Sequence, residues 1–186
     1  MKGSNKLGKI FLTADMHIGH KNVLKLSNRP FETIEQHDKA IINNYNRVVG
    51  KDDLCYILGD ISWGQSLNEY KRIFSQLNGQ KFVIIGNHDS RKSLLRCEKE
   101  GLILGVTDSK IIRYNNRFLY LSHLPCREWV GYYRGYVHVY GHTHANLPDY
   151  KQSTDVGVDC WEYEPVSIDE VLEYIDNNCE GNTRIS

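Results

Sequence analysis

The 186-residue chain has no dominant charge, no cysteine pairing pattern and no long apolar run. Lysine plus arginine and aspartate plus glutamate number 23 each, so no global field draws it to nucleic acid or an anionic membrane. Its cysteines (Cys55, Cys97, Cys126, Cys160 and Cys179) are scattered, odd in number and never spaced as CxxC. That argues against a zinc knuckle or a disulfide framework and fits a reducing, cytoplasmic compartment. No stretch approaches the roughly 20 apolar residues that span a bilayer. The apolar run in MKGSNKLGKIFLTAD is too short for the core of a signal peptide. Repeats, linkers and low-complexity segments are absent too. What remains is the composition of one soluble globular domain, 1–186, with a single sizeable core.

Short β-branched and aromatic runs alternate with helical patterns. KIFLTA (9–14), LCYIL (54–58), KFVII (81–85), RFLYL (117–121) and YVHVY (136–140) read as strands. Most are nearly continuous in hydrophobicity, as strands covered on both faces are. Thr33 and Gln36 have capping-box spacing at the start of a helix whose Ile34, His37, Ile41, Tyr45 and Val48 share one face. Ser66 with Glu69 and Ser167 with Glu170 repeat that signal, and SRKSLLRCEKEG reads as a shorter helix ending at Gly101. The alternation predicts an α/β fold with a largely parallel sheet in the first half. The later strands lack intervening helices, so they pair antiparallel or form a second sheet.

Polar clusters follow the strands. ADMHIGH supplies Asp15, His17 and His20; LGDIS supplies Asp60; GNHDS supplies Asn87, His88 and Asp89; LSHLP supplies His123; YGHTH supplies His142 and His144. All lie at C-terminal strand ends, the edge where open α/β sheets bind ligands. Singly, each has a bland explanation: an N-cap aspartate, a common turn, an exposed histidine. Even the HxH pair, two histidines on one side of an extended chain, is modest evidence for a metal. The joint pattern decides. Carboxylates, imidazoles and an amide oxygen without thiolate suit manganese, iron, zinc or a similar ion. The supply of donors is enough for two ions, the arrangement that clamps attacking and leaving oxygens in phosphoryl displacement.

In this order the motifs resemble the signature of the calcineurin-like metallophosphoesterases: Asp15-Met-His17, Gly59-Asp60, Gly86-Asn87-His88-Asp89, His123 and Gly141-His142-Thr143-His144. The resemblance spans residues 15–144 and is closest to small bacterial and phage members. It implies mixed, sandwich-like central β-sheets flanked by helices. It also implies a dinuclear metal-dependent phosphoesterase acting on phosphomonoesters or phosphodiesters, by in-line attack of a metal-bridging hydroxide. Asp15, His17 and His144 would hold one ion; Asn87, His123 and His142 the other; Asp60 would bridge them. His88 would serve as the acid, with Asp89 orienting its ring. The ions would be divalent or trivalent, manganese first, with iron, zinc or nickel as alternatives. An asparagine often stands in the family where Asp155 stands here.

Other residues keep two readings. His20 is a substrate contact or a turn histidine. His138 reads as a packed histidine and His37 as a core one, and RPF (29–31) as a proline-ordered approach to the first long helix. The loop 124–136 either grips substrate through Arg127 and Arg134, beside aromatics suited to a nucleotide-like group, or covers the sheet. A non-catalytic metal-binding interaction scaffold and a nuclease are the competing functions. An intact acid beside a complete ligand set favours the enzyme. Substrate and oligomeric state are left open.

Overall fold

β-Strands Ile10–Thr13 (β1), Leu54–Ile57 (β2), Gln80–Ile84 (β3) and Gly105–Thr107 (β4) lie parallel, and Val166–Ser167 (β9) closes the sheet antiparallel to β1, in the order β4-β3-β2-β1-β9. The computed structural model describes residues 8–181. A second sheet, β5-β6-β7-β8, comprises Ser109–Tyr114, Arg117–Ser122, Val137–Tyr140 and Ser153–Asp155. Only its first pair is antiparallel; β6–β7 and β7–β8 are parallel. Of the two expectations for the later strands, the second sheet is met; β6 and β7 themselves pair parallel, and the antiparallel partner of β6 is β5. β4, β5, β8 and β9 had no separate signal: they are short, or polar as in SKIIRY and STD.

The two sheets pack face to face with helices outside the first. Leu12, Leu58 and Ile84 point towards Leu119, Leu121, Val137 and Val139 of the second sheet. Phe11, Cys55, Ile57 and Val83 point the other way, onto Ile41 and Tyr45 of α2 (Ile34–Val48), Ile73 and Phe74 of α3 (Leu67–Phe74; α1 is Val23–Leu26) and Leu94 of α4 (Arg91–Lys99). Alternate residues of one strand thus enter different cores, which is why the runs are hydrophobic throughout. Burying each large apolar side chain contributes about 1.5–3 kcal/mol. α5 (Ile168–Asn178) joins the inter-sheet core through Ile168, Val171 and Ile175, and begins with the full Ser167–Glu170 capping box. Thr33 and Ser66 cap α2 and α3 as their spacing predicts. Among the described residues no helix is long and apolar enough to cross a membrane.

Candidate metal centre

In-register parallel pairing puts the C-terminal ends of β1, β2 and β3 on one edge: Thr13 lies beside Ile57 and Ile57 beside Val83. The second sheet brings the ends of β6 and β7 to the same place, since Gly141 N–H donates to the His123 carbonyl and His142 N–H to Asp15 Oδ2. The backbone leaves the strands abruptly there. Asp15, His17, Asp60, His142 and His144 all have φ between 48° and 74°, a left-handed conformation uncommon outside glycine but most tolerated by Asn, Asp and His. Such conformations cost on the order of 1–3 kcal/mol each and collect at functional sites. The glycines beside them permit the close approach. A Cβ on Gly86 would sit 2.2 Å from Asp60 Oδ1, and one on Gly59 2.6 Å from His123 Nδ1.

Two triads result. Asp15, His17 and His144 form one, and Asp60, His123 and His142 the other; within each, the candidate ligand atoms lie within 4.8 Å of one another. Asp60 Oδ2 stands between them, 3.6 Å from His17 Nε2 and 3.5 Å from His123 Nε2. Asn87 Oδ1 is 2.8 Å from His123 Nε2, on the side of the second triad. All seven residues expected from the sequence to bind metal are thus brought together.

Hydrogen bonds set which nitrogen faces inward. His123 Nδ1 is 2.7 Å from the Leu58 carbonyl, which can only accept, so Nδ1 carries the hydrogen and Nε2 points into the site. His144 Nδ1 donates to Asp159 Oδ2 at 2.6 Å, freeing its Nε2 likewise. Asp159 in turn accepts from Arg29 Nε and Nη2 at 2.8 and 2.7 Å. Arg29, buried at 4% exposure, also donates to the carbonyls of Asp15 and Met16 and to His37 Nε2. His37 therefore carries its hydrogen on Nδ1, facing Asp38 Oδ1 at 2.8 Å, and Asp38 accepts from Gly19 N–H. On the far side, Asp155 accepts from Thr143 Oγ1 and Gly157 N–H, tying down the turn between His142 and His144.

Burial shapes the electrostatics. It pushes the Asp15 carboxyl up to about 7, aided by Asp155 and Asp60 and opposed by His123 and His144. It pushes His17 down to about 3, against the pull of Asp60. Burial alone would raise Asp60, but the neighbouring His123 and the His88 N–H outweigh it and hold the carboxyl low. Asp159 is held low in the same way, burial being outweighed by His144 and Arg29. Among the described residues, Asp15 Oδ1 and both ring nitrogens of His17 are buried without a hydrogen-bond partner. Unpartnered buried polar atoms cost roughly 1–3 kcal/mol each by mutational measure. A cation held by oxygen and imidazole donors would satisfy Asp15 Oδ1 and one ring nitrogen of His17, so the residues fit a metal centre.

One expectation is corrected. Asp89 does not contact the His88 ring by any hydrogen bond among the described residues. Its Oδ2 accepts from the backbone N–H groups of Asp60 and Gly86, and its Oδ1 from Ile61 N–H and the Tyr70 hydroxyl. It braces the turns that carry Asp60 and Asn87. Arg127 and Arg134 are exposed on the 124–136 loop, and no hydrogen bond or ion pair among the described residues joins either to the triads. Other parts of the loop cover the sheet: Trp129 and Tyr132 are buried, with Trp129 5.0 Å from the His138 ring. His138 is packed as expected, 2.8 Å from each of the Ser122 and Ser153 hydroxyls. His88 donates its backbone N–H to Asp60 Oδ1, and its ring centroid lies 5.7 Å from that of His17.

Sequence reasoning missed Arg29 and Asp159. They are 130 residues apart, and neither lies in a motif. An arginine before a proline was the one local signal, and it was assigned to helix approach alone.

Fold and centre together define an α/β sandwich with two Asp/His triads that could hold metal at one sheet edge. The sequence model of the calcineurin-like phosphoesterases matches residues 8–164, and the chain belongs to that family. It is similar to an uncharacterised protein of Methanocaldococcus jannaschii, 32% identical over 176 residues that cover 90% of this chain and 92% of the relative. It is also similar to the Gene 66 protein of Mycobacterium phage L5, 27% identical over 202 residues, covering 92% and 96%. A solved protein of unknown function from Aquifex aeolicus shares the fold, with a TM-score of 0.69 and 23% identity over 90% of this chain and all of that one.

Proposed function

We propose that this chain is a metal-dependent phosphoesterase whose 1–186 unit carries one dinuclear centre. Asp15, His17 and His144 would hold one ion, Asn87, His123 and His142 the other, with Asp60 shared between them. The observation that carries this reading is the position of Asp60 Oδ2, 3.6 and 3.5 Å from a histidine nitrogen of each triad. Bound there, a pair of manganese or similar ions would supply Lewis-acid neutralisation of the phosphate and lower the pKa of water.

The chain's own groups do the rest. Asp159 and Leu58 engage Nδ1 of His144 and His123, so Nε2 of each would be the nitrogen offered to an ion. Asp89 holds the turns at Asp60 and Gly86. His88, whose ring lies beside that of His17 in the first triad, would donate a proton to the departing oxygen of the ester. A scaffold of the same fold would have no use for that proton donor.

The test is hydrolysis of bis-p-nitrophenyl phosphate and p-nitrophenyl phosphate by metal-stripped protein with and without Mn²⁺, beside His88→Ala and Asp60→Asn. The expected result is Mn²⁺-dependent turnover, lowered roughly 10²–10⁴-fold in His88→Ala, the usual worth of a general acid, and lost in Asp60→Asn. Protein that binds two ions but turns over neither ester would make it a scaffold or a narrowly selective enzyme.

A further inference from the structure

Trp63 lies three residues beyond Asp60 and outside every motif, yet the residue is 51% exposed beside the centre. One face rests flat on the His20 imidazole, with centroids 4.0 Å apart and planes 5° from parallel. The His88 ring is 5.6 Å from the indole, and the His20 ring 5.3 Å from that of His17. The stack stands on pinned backbone: Trp63 N–H and Ser62 Oγ both donate to the Ile18 carbonyl, and His20 N–H donates to the His17 carbonyl. His20 is only 8% exposed, and its Nδ1 has no hydrogen-bond partner among the described residues.

An indole clamped on one face and open to water elsewhere loses little freedom when a flat ring settles on it. Aromatic rings prefer that offset-stacked geometry, and every nucleobase offers a face to it. We infer that Trp63, backed by His20, is a platform for a planar aromatic group of the substrate. A nucleobase stacks there while its phosphate reaches the two triads, which makes nucleotide esters the substrate class. The inference rests on the phosphoesterase reading and adds the group that the phosphate carries.

Calorimetric binding of AMP and of ribose 5-phosphate to the Mn²⁺-loaded full chain, in the cold to limit turnover, isolates the base. AMP is expected to bind tighter by roughly 5- to 150-fold, the range that one base–aromatic stack supplies. Trp63→Ala should erase that preference and Trp63→Phe restore most of it. Equal binding of the two ligands, failure to bind AMP, or a preference that survives Trp63→Ala would overturn the platform. An equal loss for both ligands in Trp63→Ala would also overturn it, by giving Trp63 a structural role. Ester hydrolysis measured on the same protein keeps the two ideas apart. Turnover without a Trp63-dependent preference removes the platform alone, and preference without turnover of either nitrophenyl or nucleotide esters removes the phosphoesterase reading while Trp63 still holds the base.

Discussion

Asp159 Oδ2 meets Nδ1 of His144 at 2.6 Å, fifteen residues away in sequence and part-buried behind the first triad. The bond fixes the tautomer that leaves Nε2 free, and Arg29 holds the carboxylate in place. Asp159→Asn keeps the shape but removes the charge. Metal affinity, read by chelator competition with Mn²⁺, should fall about 10- to 100-fold, the usual worth of such an outer partner. Unaltered affinity would make Asp159 a partner of Arg29 only.

Asp89 should matter for folding more than for proton transfer. Asp89→Ala strips three backbone N–H groups and the Tyr70 hydroxyl of their acceptor. Urea unfolding should show a loss of about 3 kcal/mol or more, given the cost of unsatisfied buried donors. A loss within ~0.5 kcal/mol would mean that water replaces the carboxylate.

Gly86→Ala places a methyl 2.2 Å from Asp60 Oδ1. The turn or the carboxylate must shift, so Mn²⁺ stoichiometry should drop and the thermal midpoint fall. Full loading with two ions would show that the turn has slack.

His138 gives the pH prediction. Burial lowers it from 6.5 to about 3. Between those values the unfolded chain holds a proton that the folded one refuses, so the neutral histidine's contribution is present above pH 6.5 and is lost as pH falls towards 3. The limiting slope is about 1.4 kcal/mol per pH unit. Urea stability of the native protein against His138→Gln, measured from neutral pH downwards, should converge as this term disappears. Parallel curves would show that His138 does not contribute to acid sensitivity.

Much of the fold was legible because helix caps and strand runs are local signals. Thr33, Ser66 and Ser167 each start a helix where their spacing says. The seven expected ligands gather because each follows a strand, and pairing register aligns strand ends. What the sequence hid depends on tertiary approach. β8 and β9 are three and two residues long, too short for a period. Arg29 finds Asp159 only once the two sheets have packed. Asp89, adjacent to His88 in sequence, turns away because the unpaired N–H groups of Asp60 and Gly86 need it. His20 and Trp63 are separated by 43 positions, and only the bridge between Ile18 and Ser62 brings them into a stack.

The most direct measurement is anomalous scattering from crystals of the full chain grown with Mn²⁺. A shared carboxylate between two triads gives two peaks, one beside Asp15, His17 and His144 and one beside Asn87, His123 and His142, with Asp60 touching both. A single peak, or ions bound without Asp60, would contradict the dinuclear centre.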